Sequence, residues 1–448
     1  MHADLRITNA RVLTPQGVVH GGVAVAAGRI VAIAHDPVLP SARDTIDAGG
    51  HHLLPGLVDA HVHFRDPGLT DKEDFVTGSR AAVRGGVTTV LDMPNTLPPV
   101  ETAALFSAKA RHLAGRSLAH YGLFAVITAD NPDRIEELAE AGAIAYKVFL
   151  GPSTGDLSCP GDGDMLEALG RVKATGRPFA VHAENHQLVT SATARLRAAG
   201  RNDPLAHAEA RPVLAEVESI QRMILFARAT GVALHVLHLS SGEGVAVVRR
   251  AKGDGVRVTA ETCPHYLLLT AADMERIGPA SKMNPPLRGL EDVQALWDGL
   301  GDGTVDFIAT DHAPHTLEEK TRPVIWDNAS GASTIQWALP LMLTQVARGR
   351  LGLTDLVRLM AEAPARRYGL YPRKGVIAVG SDADLVLVDL EEHHTVRAAD
   401  MENKVKLTPF EGVPCVGRPL LTLVAGTVAA RAGTVVGAPG IGAFLRSS

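Results

Sequence analysis

His61 and His63 close an apolar run, GLVDAHVHF, with one residue between them. Alternate residues of a strand point to one face, so the two imidazoles could hold one metal ion. Lys147 lies in the run AIAYKVFL, between Tyr146 and Val148. An ammonium in an apolar strand is costly unless it is paired, and buried lysines lose their proton readily. Two roles are open to it: an ion pair with a nearby acid, or a neutral amine that takes up carbon dioxide as a carbamate able to bridge two cations. His182, His238 and Asp311 end three further runs, PFAVHAEN, VALHVLHLS and VDFIATDHAPH, and His235 stands three residues before His238. Each of these alone reads more naturally as a satisfied residue of a core or rim. Together, four histidines, one carboxylate and one potential carbamate suit a two-metal hydrolytic centre with nitrogen and oxygen ligands and no thiolate. Zinc is the first expectation, with manganese and cobalt left open. In such a centre Asp311 would take a proton from attacking water and return it to the leaving nitrogen.

The elements that must position these groups can be read between residues 56 and 370. Eight short apolar runs, beginning at Gly56, Gly86, Tyr121, Ala143, Pro178, Val232, Val256 and Val305, suit strands buried on both faces. Helical periodicity lies between them, over Asp71 to Arg84, Asp133 to Ala141, Val213 to Ala229 and Glu291 to Leu300. Asn131-Pro132 is expected to cap the second of these helices and Gly142 to close it. Eight strand-helix units make a (β/α)₈ TIM barrel the expected architecture, ahead of a doubly wound open sheet. The candidate ligands all fall toward C-terminal strand ends, where barrel active sites are built. Residues 1–55 and 371–448 carry short alternating strands broken by Gly and Asp, and are expected to join in a small antiparallel β-sandwich beside a 56–370 catalytic barrel.

Other chemistries fit less well. Gly151-Pro152-Ser153-Thr154-Gly155 matches a serine-nucleophile pattern but runs into a Gly-rich loop rather than a helix, so it reads as an active-site rim. Cys263 in TCPHY reads as a small apolar filler. The three cysteines are odd in number and far apart, which excludes a disulfide framework and suits a cytoplasmic protein. A net charge of −5 without a Lys/Arg cluster argues against nucleic acid, and no apolar run approaches a membrane span.

The segments PGLVDAHVHFRDPG, DMPNT, YKVF, HAEN, HVLHLSS, KMNPPLR, FIATDHAPH and LTPFEG, in this order, resemble the amidohydrolase superfamily. Within it the chain resembles the cyclic amidohydrolases (dihydroorotases, allantoinases, dihydropyrimidinases and hydantoinases), most closely the dihydroorotases. The resemblance spans nearly the whole chain and implies a barrel with a β-sandwich built from both ends. It implies that His61, His63 and Asp311 hold one divalent ion, that His182 and His238 hold the other, and that carbamylated Lys147 bridges them. Many bacterial dihydroorotases carry aspartate at the bridging position, so Lys147 places the chain in a lysine-containing branch shared with hydantoinases and allantoinases. Arg65, Asn95, Asn284 and His315 match substrate-binding positions, with Arg65 suited to clamp a carboxylate that allantoin and dihydropyrimidines lack. A surface ion pair with Asp66 or Asp71 is the other reading of Arg65. Trp326-Asp327-Asn328 departs from the dihydroorotase pattern, which puts main-chain substrate contacts there in doubt. The implied reaction interconverts L-dihydroorotate and N-carbamoyl-L-aspartate in pyrimidine biosynthesis, with allantoinase or hydantoinase as the alternative. A small-molecule substrate, a homo-oligomer and a complex with aspartate transcarbamoylase are the implied partnerships. A non-catalytic scaffold fits less well, because all six ligand positions are filled.

Overall fold

The computed structural model describes residues 2–446 except Ser153 and Asp156, so the serine of the G-x-S-x-G stretch lies outside the described residues. Eight parallel strands pair in sequence order: Leu57–Val62, Val87–Asp92, His120–Val126, Ala145–Phe149, Phe179–His182, Leu234–Val236, Val258–Thr262 and Phe307–Ile308. The first and last meet just past their ends. Val62 bridges His312, and the His63 amide donates to the His312 carbonyl at 2.7 Å, which closes the sheet into a (β/α)₈ barrel. Every residue of the first four strands is buried, as expected for strands covered on both faces.

The period of two along a strand ties the site to the plug beneath it. Ala145 precedes Lys147 by two residues and Ala180 precedes His182 by two, while Ala309 lies just past the eighth strand, before the turn that bears Asp311. All three alanines belong to one apolar cluster with Leu91, Phe124, Phe307 and Tyr368. Lys147 and His182 therefore project from the same faces that fill the barrel, and their backbone is held by close packing.

Two helix starts differ from expectation. The first begins at Phe75, where the Asp74 carboxylate accepts from the Thr77 amide at 2.9 Å. The other begins at Ile135, with Arg134 at the cap position rather than Asn131. Asn131 instead pins the preceding loop: its side chain accepts from the Thr128 amide at 2.8 Å and donates to the Glu101 and Val126 carbonyls, each at 2.9 Å. Gly142 closes that helix at φ 111°, a conformation that favours glycine.

The two chain ends do pair. Strand His52–Pro55 runs antiparallel to Leu385–Thr395 and parallel to Ala3–Thr14, joining N- and C-terminal strands in one nine-stranded sheet. Two pairings in it are parallel, Ala3–Thr14 with Ala42–Asp47 and with His52–Pro55, where only antiparallel ones were expected. Alternation along Leu385–Thr395 serves two cores: Leu385 and Leu387 pack within the sheet, and Val386 and Val388 pack against the barrel. Among the described residues no helix is long and apolar enough to cross a membrane.

Near this junction, Lys374 is fully buried between Asp382 at 2.8 Å and Asp384 at 2.5 Å, with His120 Nε2 3.2 Å from Asp384. Burial alone would raise the Asp384 pKa, but the charges of Lys374 and His120 outweigh it and hold the carboxyl well below the ordinary range. The stability it contributes is present above the ordinary aspartate pKa and is lost as pH falls toward the depressed one. Lys374→Met removes the buried cation of Asp384, leaving it only His120, while Asp382 keeps Arg373 at 2.8 Å, and should cost about 3 kcal/mol at neutral pH, read as a lowered denaturant midpoint. An unchanged midpoint would show that the pair is dispensable.

Candidate active site

The first strand and the turn after the eighth bring His61, His63 and Asp311 together. The Asp311 Oδ1 atom lies 3.2 Å from His61 Nε2 and 3.3 Å from His63 Nε2. From the fifth and sixth strands, His182 Nδ1 and His238 Nε2 face each other at 3.0 Å. The groups adjoin, since the His61 and His238 ring centroids are 5.3 Å apart. Ligand atoms of His61, His238 and Asp311 all fall within 4.8 Å of one another. Lys147, on the fourth strand, has its amine 4.7 Å from the centre of the Phe149 ring, and its charge bears on all four histidines.

Three of the imidazoles are tied from behind. His61 Nδ1 meets Glu261 Oε1 at 2.5 Å, His63 Nδ1 meets Asn95 Oδ1 at 2.7 Å, and His182 Nε2 lies 3.1 Å from Glu184 Oε2. For His61 and His63 the outer nitrogen bonds an acceptor and therefore carries the proton; His182 Nε2 lies near Glu184 without an aligned hydrogen bond. The inner nitrogens of His61 and His63 then offer lone pairs. Burial, followed by the Lys147 charge, drives the His61 pKa far down, burial does so first for His238, and it lowers His63 and His182 against the opposing pull of Asp311 and Glu184. Asp311 Oδ1 thus faces two imidazole nitrogens at 3.2 and 3.3 Å, and His182 Nδ1 faces His238 Nε2 at 3.0 Å, across the mouth.

Divalent cations fit that arrangement. Ligands about 2.0–2.1 Å from a tetrahedral zinc are separated by roughly 3.3 Å, close to the spacings found here. Burial alone would raise the Asp311 pKa, but a hydrogen bond and charge from His63, with charges on His265 and Lys147, hold it low and keep the carboxylate ionised. Burial pushes the Lys147 ammonium down to about 7 despite Asp311 and Glu261 nearby. The six positions His61, His63, Lys147, His182, His238 and Asp311 could hold two ions with nitrogen and oxygen donors.

Backbone strain gathers here. Arg65, His238 and Asp311 have φ of 62°, 38° and 45°, and are three of the few non-glycine residues with positive φ among the described residues. Arg65 does not continue the strand, which ends at Val62; the left-handed turn carries it into the mouth. It is 2% exposed, which rules out the surface ion pair. Its Nε donates to the Pro314 carbonyl at 3.2 Å, Nη2 lies 3.1 Å from His315 Nε2, and Nη1 is buried without a partner.

Asn284 and Ser330 line a cleft of about 530 Å³ with Arg211, Lys282 and Trp326, and the Asn284 Oδ1 atom is buried and unpaired. Asn95, expected at the substrate, uses both ends of its amide on protein, at His63 Nδ1 and at the Thr154 carbonyl 3.0 Å away. His315 Nε2 also lies 3.1 Å from the Ser330 carbonyl.

The supporting carboxylates escaped the reading of the sequence. Glu261 binds both His61 and, at 3.2 Å, His235, which turns His235 away from the mouth. Glu184 is shared between His182 and Arg211, the latter at 3.1 Å. Asp59 accepts from the Thr310 amide at 3.0 Å and from its hydroxyl at 2.5 Å, tying the first strand to the turn that bears Asp311. For Asp59 and Glu184 the available signal was a place in the same run as a ligand, two before His61 and two after His182; Glu261, in the seventh run, had none.

The sequence pattern of the Amidohydrolase family matches residues 52–429. The chain is 37% identical to an L-hydantoinase of Paenarthrobacter aurescens, over 99% of this chain and 98% of that one. It is 38% identical to an allantoinase of Deinococcus radiodurans, covering 98% of each. It is 36% identical to a dihydroorotase of Methanosarcina mazei, over 99% and 97%. The solved L-hydantoinase (dihydropyrimidinase) from Arthrobacter aurescens superposes with a TM-score of 0.96 at 36% identity, over 99% of this chain and all of that one. Overall identity does not select one of the three activities, so it leaves undecided the specific likeness to dihydroorotases drawn from Arg65 and Asn95.

Glu261→Ala should loosen the His61 ring and lower affinity for divalent metal about 10–100-fold, measured by competition with a chelator. Affinity equal to wild type would show that Glu261 does not orient a ligand.

Proposed function

The chain belongs to the amidohydrolase family and acts on cyclic amides; within that branch we propose that it is a two-metal dihydroorotase, interconverting L-dihydroorotate and N-carbamoyl-L-aspartate. His61, His63 and Asp311 would hold one divalent ion, His182 and His238 the other, with Lys147 between them as a carbamate. When bound, such ions supply a water acidic enough to attack an amide near neutral pH and polarise the carbonyl under attack. The chain's own residues do the rest. Asp311, kept ionised by its neighbours, takes the proton of the attacking water and delivers it to the ring nitrogen as the amide bond breaks. Glu261, Asn95 and Glu184 keep the ring planes of His61, His63 and His182 fixed throughout.

The observation that carries the choice of substrate is Arg65. A buried guanidinium with one nitrogen unpaired, beside the metal-facing histidines, asks for an anion. A ring carboxylate answers that demand, and hydantoin, dihydrouracil and allantoin have none. His315 and the Pro314 carbonyl hold the guanidinium in place for it. The alternative of an allantoinase or hydantoinase is favoured by the relatives of those names at equal identity, and by a cleft larger than a bare ring requires.

Turnover of dihydroorotate, allantoin, dihydrouracil and hydantoin by one purified, metal-analysed preparation tests the reading, and dihydroorotate should lead. Arg65→Met should lower kcat/KM for dihydroorotate about 100-fold while changing dihydrouracil little. Equal losses on both would sink the carboxylate role.

Lys147 gives an independent test. Its amine is neutral above about pH 7 and charged below it, and only the neutral form takes up carbon dioxide. Zinc reconstitution of chelator-treated protein should therefore speed up with added bicarbonate above that pH and slow as pH falls through it. Reconstitution indifferent to bicarbonate at both pH values would remove the carbamate.

A further inference from the structure

One wall of the cleft is braced from behind by a lysine. Ile325–Asp327 forms one 3₁₀ turn, a segment so short that only the Ile325 carbonyl receives a bond from within it, from the Asn328 amide at 3.2 Å. Lys282, 7% exposed and far away in sequence, supplies the donors. Its Nζ atom bonds the carbonyls of Ile325 at 2.8 Å, Trp326 at 3.4 Å and Asn328 at 2.5 Å. An ammonium has three protons, and all three go to main-chain oxygens of this turn.

The backbone of Lys282 is bound to the same loop. Its carbonyl accepts from the Gly331 amide at 2.9 Å and from Lys320 Nζ at 2.8 Å, and Lys320 also donates to the Ala329 carbonyl at 3.1 Å. Three carbonyl dipoles converging on one point repel one another without a cation among them, and in a buried place water cannot substitute cheaply. This ammonium therefore holds the turn together with the Asn328 side chain, which donates to the Arg322 and Val324 carbonyls at 2.8 and 2.9 Å, and the Ile325 amide, which donates to the Asn202 carbonyl at 3.0 Å. Trp326, in the middle of the turn, lines the cleft together with Ser330 and Asn284, the residue two after Lys282. The Trp326 indole donates to the Arg201 carbonyl at 2.8 Å, which fixes its plane once the turn is set.

We propose that Lys282 is a specificity-determining positioning residue: by caging its ammonium in the carbonyls of residues 325, 326 and 328 it sets Trp326 as the wall that receives a substituent on the substrate ring. The inference rests on the cyclic-amide reading above and adds the determinant of substituent size. A bare ring leaves this wall untouched, whereas an arylmethyl arm lies against it.

The test uses wild type, K282A and W326A with the cyclic amide that the wild type turns over, inhibited by either hydantoin or 5-benzylhydantoin. K282A should bind 5-benzylhydantoin about tenfold more weakly and hydantoin within about twofold of wild type. Propylammonium, which replaces the missing stem and ammonium, should restore the lost binding. W326A should show the same selective loss with no response to propylammonium. Equal weakening of both inhibitors, or a loss in K282A that propylammonium leaves unchanged, overturns the positioning role. If K282A fails to fold, W326A decides, and unaltered binding of 5-benzylhydantoin to it overturns the proposal. A wild-type protein that turns over no cyclic amide removes the underlying reading instead, and the inference falls with it.

Discussion

The mouth of the barrel is organised around a conflict among lone pairs. His61, His63, His182 and His238 are buried and neutral, and their inner nitrogens face a carboxylate or one another at 3.0 to 3.3 Å. In water such groups would turn apart or be solvated; here the closed sheet holds them. A cation is the simplest resolution, and the acceptors are of the hard and borderline kind that zinc or manganese takes.

The rest of the protein can be ranked by how directly it maintains that conflict. Glu261, Asn95 and Glu184 stand behind the rings, and the first two fix which nitrogen bears the proton. Left-handed backbone at Arg65, His238 and Asp311 aims three side chains that a regular strand would direct elsewhere. Asp59 and the bond from His63 to the His312 carbonyl lock the first strand to the turn after the eighth. Below them the apolar plug shares its strand faces with the ligands, so repacking it would shift them. The terminal sheet lies further out, bound through Val386 and Val388 and through the buried Lys374 pair.

Substrate choice belongs to a separate layer. In the proposed reading Arg65 would read charge beside the histidines, and the cleft wall formed by Trp326, Ser330 and Asn284 would read size. These groups come from loops after strands, where changes do not disturb the barrel. That separation is consistent with hydantoinase, allantoinase and dihydroorotase relatives matching at the same identity.

Strand order and the barrel were legible from the sequence, as were the six polar residues gathered at its mouth, because a strand buried on both faces makes an apolar run and a polar residue within it stands out. Short-range signals also held at Gly142, where a left-handed helix end leaves little alternative to glycine. Asn131 misled because a capping side chain and a loop-pinning one look alike until the contacts with Glu101 and Val126 are known. The supporting shell was not legible at all. Glu261 is 200 residues from His61, and only closure of the barrel sets them 2.5 Å apart. Nor does sequence show that Arg65 leaves its strand, or that Lys282 reaches a turn more than forty residues later, since both depend on dihedrals and packing beyond any local pattern. The chain determines by itself which groups can do chemistry. The tertiary structure decided which of their atoms face inward, because direction is a property of the closed sheet and not of the residues that line it.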